Sequence, residues 1–142
     1  MVTVDASIWV AADAGGEPHH ADCRAFLAAT LGGRLPVHQP LLSIVEVCAT
    51  VARKTRSTRL ALMAGQIVLS VPTLVLHELD HRRAREAAEL ASQAFLRGAD
   101  AVYVATARRA GTVLVTLDLE MHQRAAAIVA TFTPAEWLAR TS

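Results

Sequence analysis

The segment Gly111-Thr112-Val113-Leu114-Val115-Thr116-Leu117-Asp118 decides the fold. A glycine that closes a helix is followed by a strand of nearly pure aliphatic character, Val113 to Leu117, with an acid at its carboxyl end. Apolar residues at successive positions mark a strand covered on both faces, as in a parallel sheet flanked by helices. The start of the chain repeats the design. Val2 to Val4 leads into Asp5-Ala6-Ser7, and Ile8 to Ala11 then suits a short helix capped by Ser7.

Between these two segments, strands and helices alternate. Pro18 opens a helix through Leu31 that Gly32-Gly33 ends, and Leu35 to His38 makes a brief strand before Pro40. Ser43 opens an apolar helix through Val51, and Ser57 opens another in which Leu60, Met63, Ile67 and Val68 share a face. Val71 to Leu76 reads as a third strand, His77 to Leu96 as an Ala-rich helix, and Asp100 to Ala110 as a helix between Gly98 and Gly111. Beyond Asp118, Ile128 to Phe132 gives a fifth strand, and Thr133 and Glu136 form a capping box for a terminal helix. Such alternation implies right-handed crossovers, a parallel sheet and an α/β fold of three layers, helices on both faces. No linker, repeat or low-complexity tract divides residues 1–142, so one domain is expected.

The composition is that of a packed globular chain: 142 residues, 53% hydrophobic and only 4% aromatic, which calls for a core of Ala, Val and Leu. Cys23 and Cys48 lie in expected helices without paired spacing and read as reduced thiols. No run approaches the roughly 20 apolar residues of a membrane span. An acid at Asp5 stands where a signal peptide has a basic lead-in, so a cytoplasmic protein starting at Met1 is expected. A net charge of +1 gives no general attraction to nucleic acid, and local clusters matter instead: Arg53, Lys54, Arg56 and Arg59, then Arg82, Arg83 and Arg85.

Acids carry the chemistry. Ligands of open α/β sheets bind beyond the carboxyl ends of strands, and Asp5 and Asp118 both occupy such ends. Each also suits the start of the next helix. Glu46 sits in Ser43-Ile44-Val45-Glu46-Val47-Cys48 with little polar company, where a charge needs a cation or a donor, although Ser43 and Glu46 also fit a capping box. Asp100 opens a helix that is otherwise nearly all apolar. Taken together, acids in hydrophobic segments favour a carboxylate cluster, which repels itself unless a cation neutralises it. An all-oxygen set suits Mg²⁺ or Mn²⁺, and such an ion supports phosphodiester hydrolysis.

Val4-Asp5-Ala6-Ser7, Glu46 in the third expected helix, Gly98-Ala99-Asp100-Ala101-Val102-Tyr103-Val104-Ala105-Thr106-Ala107 and Val115-Thr116-Leu117-Asp118 occur in an order and context that resembles the PIN-domain family, in particular its VapC-like toxin ribonucleases. The resemblance implies a five-stranded sheet of order 3-2-1-4-5 and an endoribonuclease site in which Asp5, Glu46, Asp100 and Asp118 hold Mg²⁺ or Mn²⁺. Ser7 and Thr116 match the hydroxyl positions that orient the acids, while Glu120, the nearest candidate for a further acid, is left unassigned. An RNA substrate, a cognate antitoxin, a homodimer and a toxin role are further implications. Arg53, Lys54, Arg56 and Arg59 are the candidate phosphate contacts.

Three rivals compete with this reading. His77-Glu78-Leu79-Asp80-His81 matches the H-E-x-x-H pattern of zinc proteases, but Arg83-Ala84 and Ala87 stand where the longer pattern needs a glycine and a third histidine. A non-catalytic PIN-like module that binds RNA or protein could keep the same fold. A haloacid-dehalogenase-like phosphatase would want an acid at Ser7.

Overall fold

The computed structural model describes residues 1–141. Along the chain run β1 (Val2–Val4), α1 (Ala6–Asp13), α2 (His20–Gly32), β2 (Val37–Pro40), α3 (Leu42–Thr55), α4 (Thr58–Leu69) and β3 (Leu74–His77). They are followed by α5 (His81–Ala94), α6 (Gly98–Ala110), β4 (Val113–Val115), α7 (Leu119–Ala125), β5 (Thr131–Phe132) and α8 (Pro134–Thr141). Among the described residues the strands form one parallel sheet of order β3-β2-β1-β4-β5, with helices on both faces.

The aliphatic strands form the middle of this sheet for the reason their sequence suggests. β1 lies between β2 and β4, with Val2 opposite both Val37 and Val113, and Val4 opposite Val115. Val4, Val37, Leu114 and Val115 are completely buried. Burying each such side chain stabilises the fold by about 1.5–3 kcal/mol. A polar pair interrupts the apolar centre, where the hydroxyls of Thr3 and Thr112 meet at 2.6 Å and satisfy each other. Because all strands run the same way, the ends of β1 and β4 open on the same edge.

Several boundaries differ from the sequence expectation. β2 starts later than Leu35 and runs to Pro40, because Pro40 pairs with His77 and needs no amide of its own there. β3 begins at Leu74 and not Val71, since Val71 to Leu74 form a turn closed by the Leu74 amide on the Val71 carbonyl. His77 ends that strand and does not open a helix, and Asp80 caps α5 by accepting from the Arg83 amide at 2.8 Å. β5 shrinks to Thr131–Phe132, as a turn takes up Ile128. The short helix α7 was visible only as a possible start at Asp118. At α8 the expected capping box forms in both directions, between Thr133 and Glu136.

The face of α4 is the largest correction. Leu60, Met63 and Ile67 are exposed, and α4 packs on α3 through Ala61, Ala64, Gly65 and Val68. Small residues let the two backbones approach closely. A Cβ at Gly65 would lie 2.6 Å from Cys48 Sγ and 3.5 Å from Ile44 Cγ2. Gly65→Ala is therefore expected to destabilise the protein by about 1–3 kcal/mol through overpacking, despite the better helix propensity of alanine. Thermal denaturation checks this, and the double variant Gly65→Ala/Cys48→Ala should recover most of the lost Tm.

Candidate active site

Asp5 follows β1 and occupies the N-cap position of α1 with extended backbone (φ −71°, ψ 149°). Its side chain does not cap that helix. One oxygen, Oδ2, instead accepts from Ser7 Oγ at 2.5 Å and from Thr116 Oγ1 at 2.9 Å. Each hydroxyl is polarised from behind: the Asp118 amide donates to Thr116 Oγ1 at 3.0 Å, and the Leu117 amide donates to Ser7 Oγ at 3.4 Å. Two relays thus run from the turn after β4 to a single carboxylate oxygen, and chains of this kind strengthen each bond in them. Burial pushes the Asp5 carboxyl above the usual carboxylate range; the hydroxyl contacts pull the other way, and the Asp100 charge adds to the rise.

Glu46 projects from α3, and its Oε2 accepts from the Tyr103 hydroxyl of α6 at 2.5 Å. The Ser43–Glu46 capping box does not form, because Ser43 Oγ is engaged by Gln39 Oε1 at 2.5 Å. Burial raises the Glu46 carboxyl, Tyr103 lowers it, and the charges of Asp5 and Asp100 raise it further. Tyr103 is held protonated, first by its burial and then by the charges of Asp5 and Glu46.

Asp100 lies in the first turn of α6, with burial as the main cause that raises its carboxyl. Asp118 caps α7 by accepting from the Met121 amide at 2.9 Å. Burial acts against its ionisation, but that amide and Arg97 together hold it below the usual range. Arg97 spans the last two acids: Nε donates to Asp100 Oδ2 at 2.8 Å, and Nη2 donates to Asp118 Oδ2.

Asp5, Glu46, Asp100 and Asp118 therefore line one open groove, together with Ser7, Arg97, Arg53 and Lys54. Arg53 and Lys54 come from the last turn of α3, and Lys54 is ion-paired to Glu17, which also lines the groove. Arg56 and Arg59 are not on the groove. Arg56 ends α3 in a left-handed conformation, and Arg59 lies on α4 beside Leu62 and Met63. Glu120 pairs with Arg124 at 3.0 Å and reaches the site only as a charge that raises Asp100.

Arg97 and Tyr103 have no assigned role in the sequence reading. Arg97 had a local signal, three residues before Asp100 at helical spacing. Its second partner and the Tyr103–Glu46 contact depend on the fold.

An all-oxygen set of carboxylates, three of them raised by burial, has the chemistry to take a hard divalent cation. Among the described residues no three His, Cys, Asp or Glu side chains form a ready-made ligand group, and Arg97 stands between two of the acids. A zinc site of the H-E-x-x-H kind is not built. Its two histidines belong to different elements, since His77 ends β3 and His81 begins α5. His77 Nε2 is instead hydrogen-bonded to His38 Nδ1 at 2.9 Å in a stacked pair, and burial lowers both imidazoles.

Solved structures share this architecture. VapC20 of Mycobacterium tuberculosis, described as a Sarcin-Ricin loop cleaving toxin, matches with TM-score 0.76 and 21% identity over 91% of this chain and 97% of that one. FitAcB from Neisseria gonorrhoeae matches with TM-score 0.72 and 19% identity, covering 95% of this chain and 99% of its own. VapBC2 from Rickettsia felis, bound to a promoter DNA fragment, gives 0.70 and 14%, covering 94% and 98%. Among curated proteins no sequence matches. The PIN domain family model covers residues 2–127, so the chain belongs to the PIN domain family.

Proposed function

We propose that this chain is a metal-dependent endoribonuclease and the toxin of a toxin–antitoxin pair. The observation that carries the reading is the meeting of Asp5, Glu46, Asp100 and Asp118, from four separate segments, on one groove whose wall also bears Arg53 and Lys54. Bound to these carboxylates, Mg²⁺ or Mn²⁺ would lower the pKa of water and stabilise charge on a phosphoryl group. Asp5 provides a fixed anchor because two hydroxyls hold one of its oxygens. Ser7 and Thr116 are positioning residues that act through Asp5. Tyr103 fixes the orientation of Glu46.

Arg53 and Lys54 are suited to hold the phosphates of RNA beside the acids, and the proposal excludes Arg56 and Arg59 from that role. The substrate class is RNA, structured or single-stranded, a reading supported by the structurally similar VapC20, described as a Sarcin-Ricin loop cleaving toxin. A cognate antitoxin is the expected protein partner, in line with the FitAcB and VapBC2 structures to which the chain is similar. The outward apolar side chains of α4, Leu62, Met63 and Ile67, offer the kind of patch that a partner protein or a second copy covers. No helix among the described residues is long and apolar enough to cross a membrane, and a cytoplasmic site of action is part of the proposal.

The test is incubation of the purified protein with a panel of RNAs, with and without Mg²⁺ or Mn²⁺, followed by mapping of product ends. Asp5→Asn and Asp118→Asn should each abolish divalent-dependent cleavage while circular dichroism and Tm show an intact fold. Full activity in either variant defeats the assignment, and binding of RNA without cleavage by the wild type favours the non-catalytic module. Thr116→Val removes one support of Asp5 and should lower the cleavage rate by about 10–100-fold without abolishing it.

Acid should inhibit. Burial raises the carboxyls of Asp5, Glu46 and Asp100, so they take up protons at a higher pH than exposed carboxylates do, and a divalent ion needs their charged forms. Cleavage is expected to fall with acidification at a higher pH than exposed carboxylates would impose, and extra Mn²⁺ should shift the falling limb to lower pH. A pH–rate profile at two Mn²⁺ concentrations checks both effects.

A further inference from the structure

The guanidinium of Arg97 is held by carboxylates of two different segments and, among the described residues, makes no other hydrogen bond. Asp100 belongs to the same helical turn as Arg97, whereas Asp118 follows β4, twenty-one positions further along the chain. Arg97 thus closes a bridge that neither acid can make alone. Asp100 and Asp118 repel each other, as the upward pull of the Asp118 charge on the Asp100 carboxyl shows. One delocalised cation between them removes that repulsion.

The bridge is also easily opened. The Arg97 side chain is 56% exposed, while those of Asp100 and Asp118 are 12% and 31% exposed. The charge is therefore delivered from the solvent side on a flexible stem, and its return to water leaves the buried Asp100 carboxylate in need of another cation. Exposed ion pairs of this kind are individually weak. Asp118 keeps the Met121 amide on its other oxygen when the guanidinium leaves, so its orientation survives.

We propose that Arg97 is a built-in counter-cation that competes with the divalent ion for Asp100 and Asp118. The inference rests on the metal-dependent reading above, and it adds a residue that sets the affinity of the site. In the metal-free protein Arg97 balances the charge of the groove, and it has to swing outward before both acids can ligate a divalent ion. Arg53 lies on the same groove but is hydrogen-bonded to Thr50 and to neither acid, so it supplies a charge of equal sign without the competition.

The experiment is a titration of the full-length protein with Mn²⁺, read by electron paramagnetic resonance of the free ion and by isothermal calorimetry. Arg97→Gln should bind Mn²⁺ about tenfold more tightly than the wild type, a difference of about 1.4 kcal/mol. Arg53→Gln should tighten binding much less, because it changes only the distant field. Arg97→Lys, which keeps the charge but not the two-pronged bridge, should fall between Arg97→Gln and the wild type. The Mn²⁺-induced rise in Tm should likewise be larger for Arg97→Gln than for the wild type. Equal, measurable Mn²⁺ affinity in the wild type and Arg97→Gln overturns the competition and leaves the metal site standing. Equal tightening by Arg97→Gln and Arg53→Gln also overturns it, since general charge then explains the effect. No Mn²⁺ binding by any of these proteins overturns both the competition and the metal-dependent reading.

Discussion

The site depends on a carboxylate that the fold has almost withdrawn from water. Asp5 is 7% exposed and sits directly behind a strand that is itself completely covered. Removing a charge from water costs several kcal/mol unless it is paired or hydrogen-bonded. The packed aliphatic strands provide the surplus that offsets this, and the two hydroxyl relays reduce the cost itself. The relays start at the amides of Leu117 and Asp118, so the geometry of Asp5 is tied to the turn that follows β4. Strand pairing between β1 and β4 and the placement of Asp118 are for this reason one problem, solved once by the register Val4 opposite Val115.

A parallel sheet also explains why the acids come from such distant positions. Each strand delivers its following residue to the same edge, and the helices that connect the strands carry further residues back over that edge. Asp5 and Asp118 arrive by the first route, Glu46 and Asp100 by the second. The resulting concentration of negative charge is a common hazard of such convergence. Here the fold answers it with Tyr103 on Glu46, hydroxyls on Asp5 and Arg97 on the remaining pair.

The sheet could be read from the sequence because its central strands are short, aliphatic and followed by acids, a pattern that few other structures produce. Val2–Val4 coincides with the observed β1, while β4 starts at Val113 as expected but ends at Val115 and not at Leu117. The edge strand was harder. Its end at His77 is set by pairing with Pro40, thirty-seven positions earlier, and local pattern favoured a helix. The acids stood out because each is out of place among apolar neighbours, whereas their partners did not. Tyr103 reads as a core aromatic and Arg97 as a surface cation until the fold brings each to its carboxylate. On α4 periodicity groups Leu60, Met63, Ile67 and Val68 on one face, yet the side that docks carries the small residues Ala61, Ala64 and Gly65 beside Val68, with Gly65 against Cys48.

That choice of size on α4 separates two demands that usually compete on one helix. Docking onto α3 is met by Ala61, Ala64, Gly65 and Val68, while Leu62 and Met63 stay largely exposed. Substitutions on the outward side consequently meet little resistance from folding, since surface changes of this kind stay within about 0.5 kcal/mol. The helix can diversify its outer chemistry from one descendant to the next while the groove of acids stays unaltered.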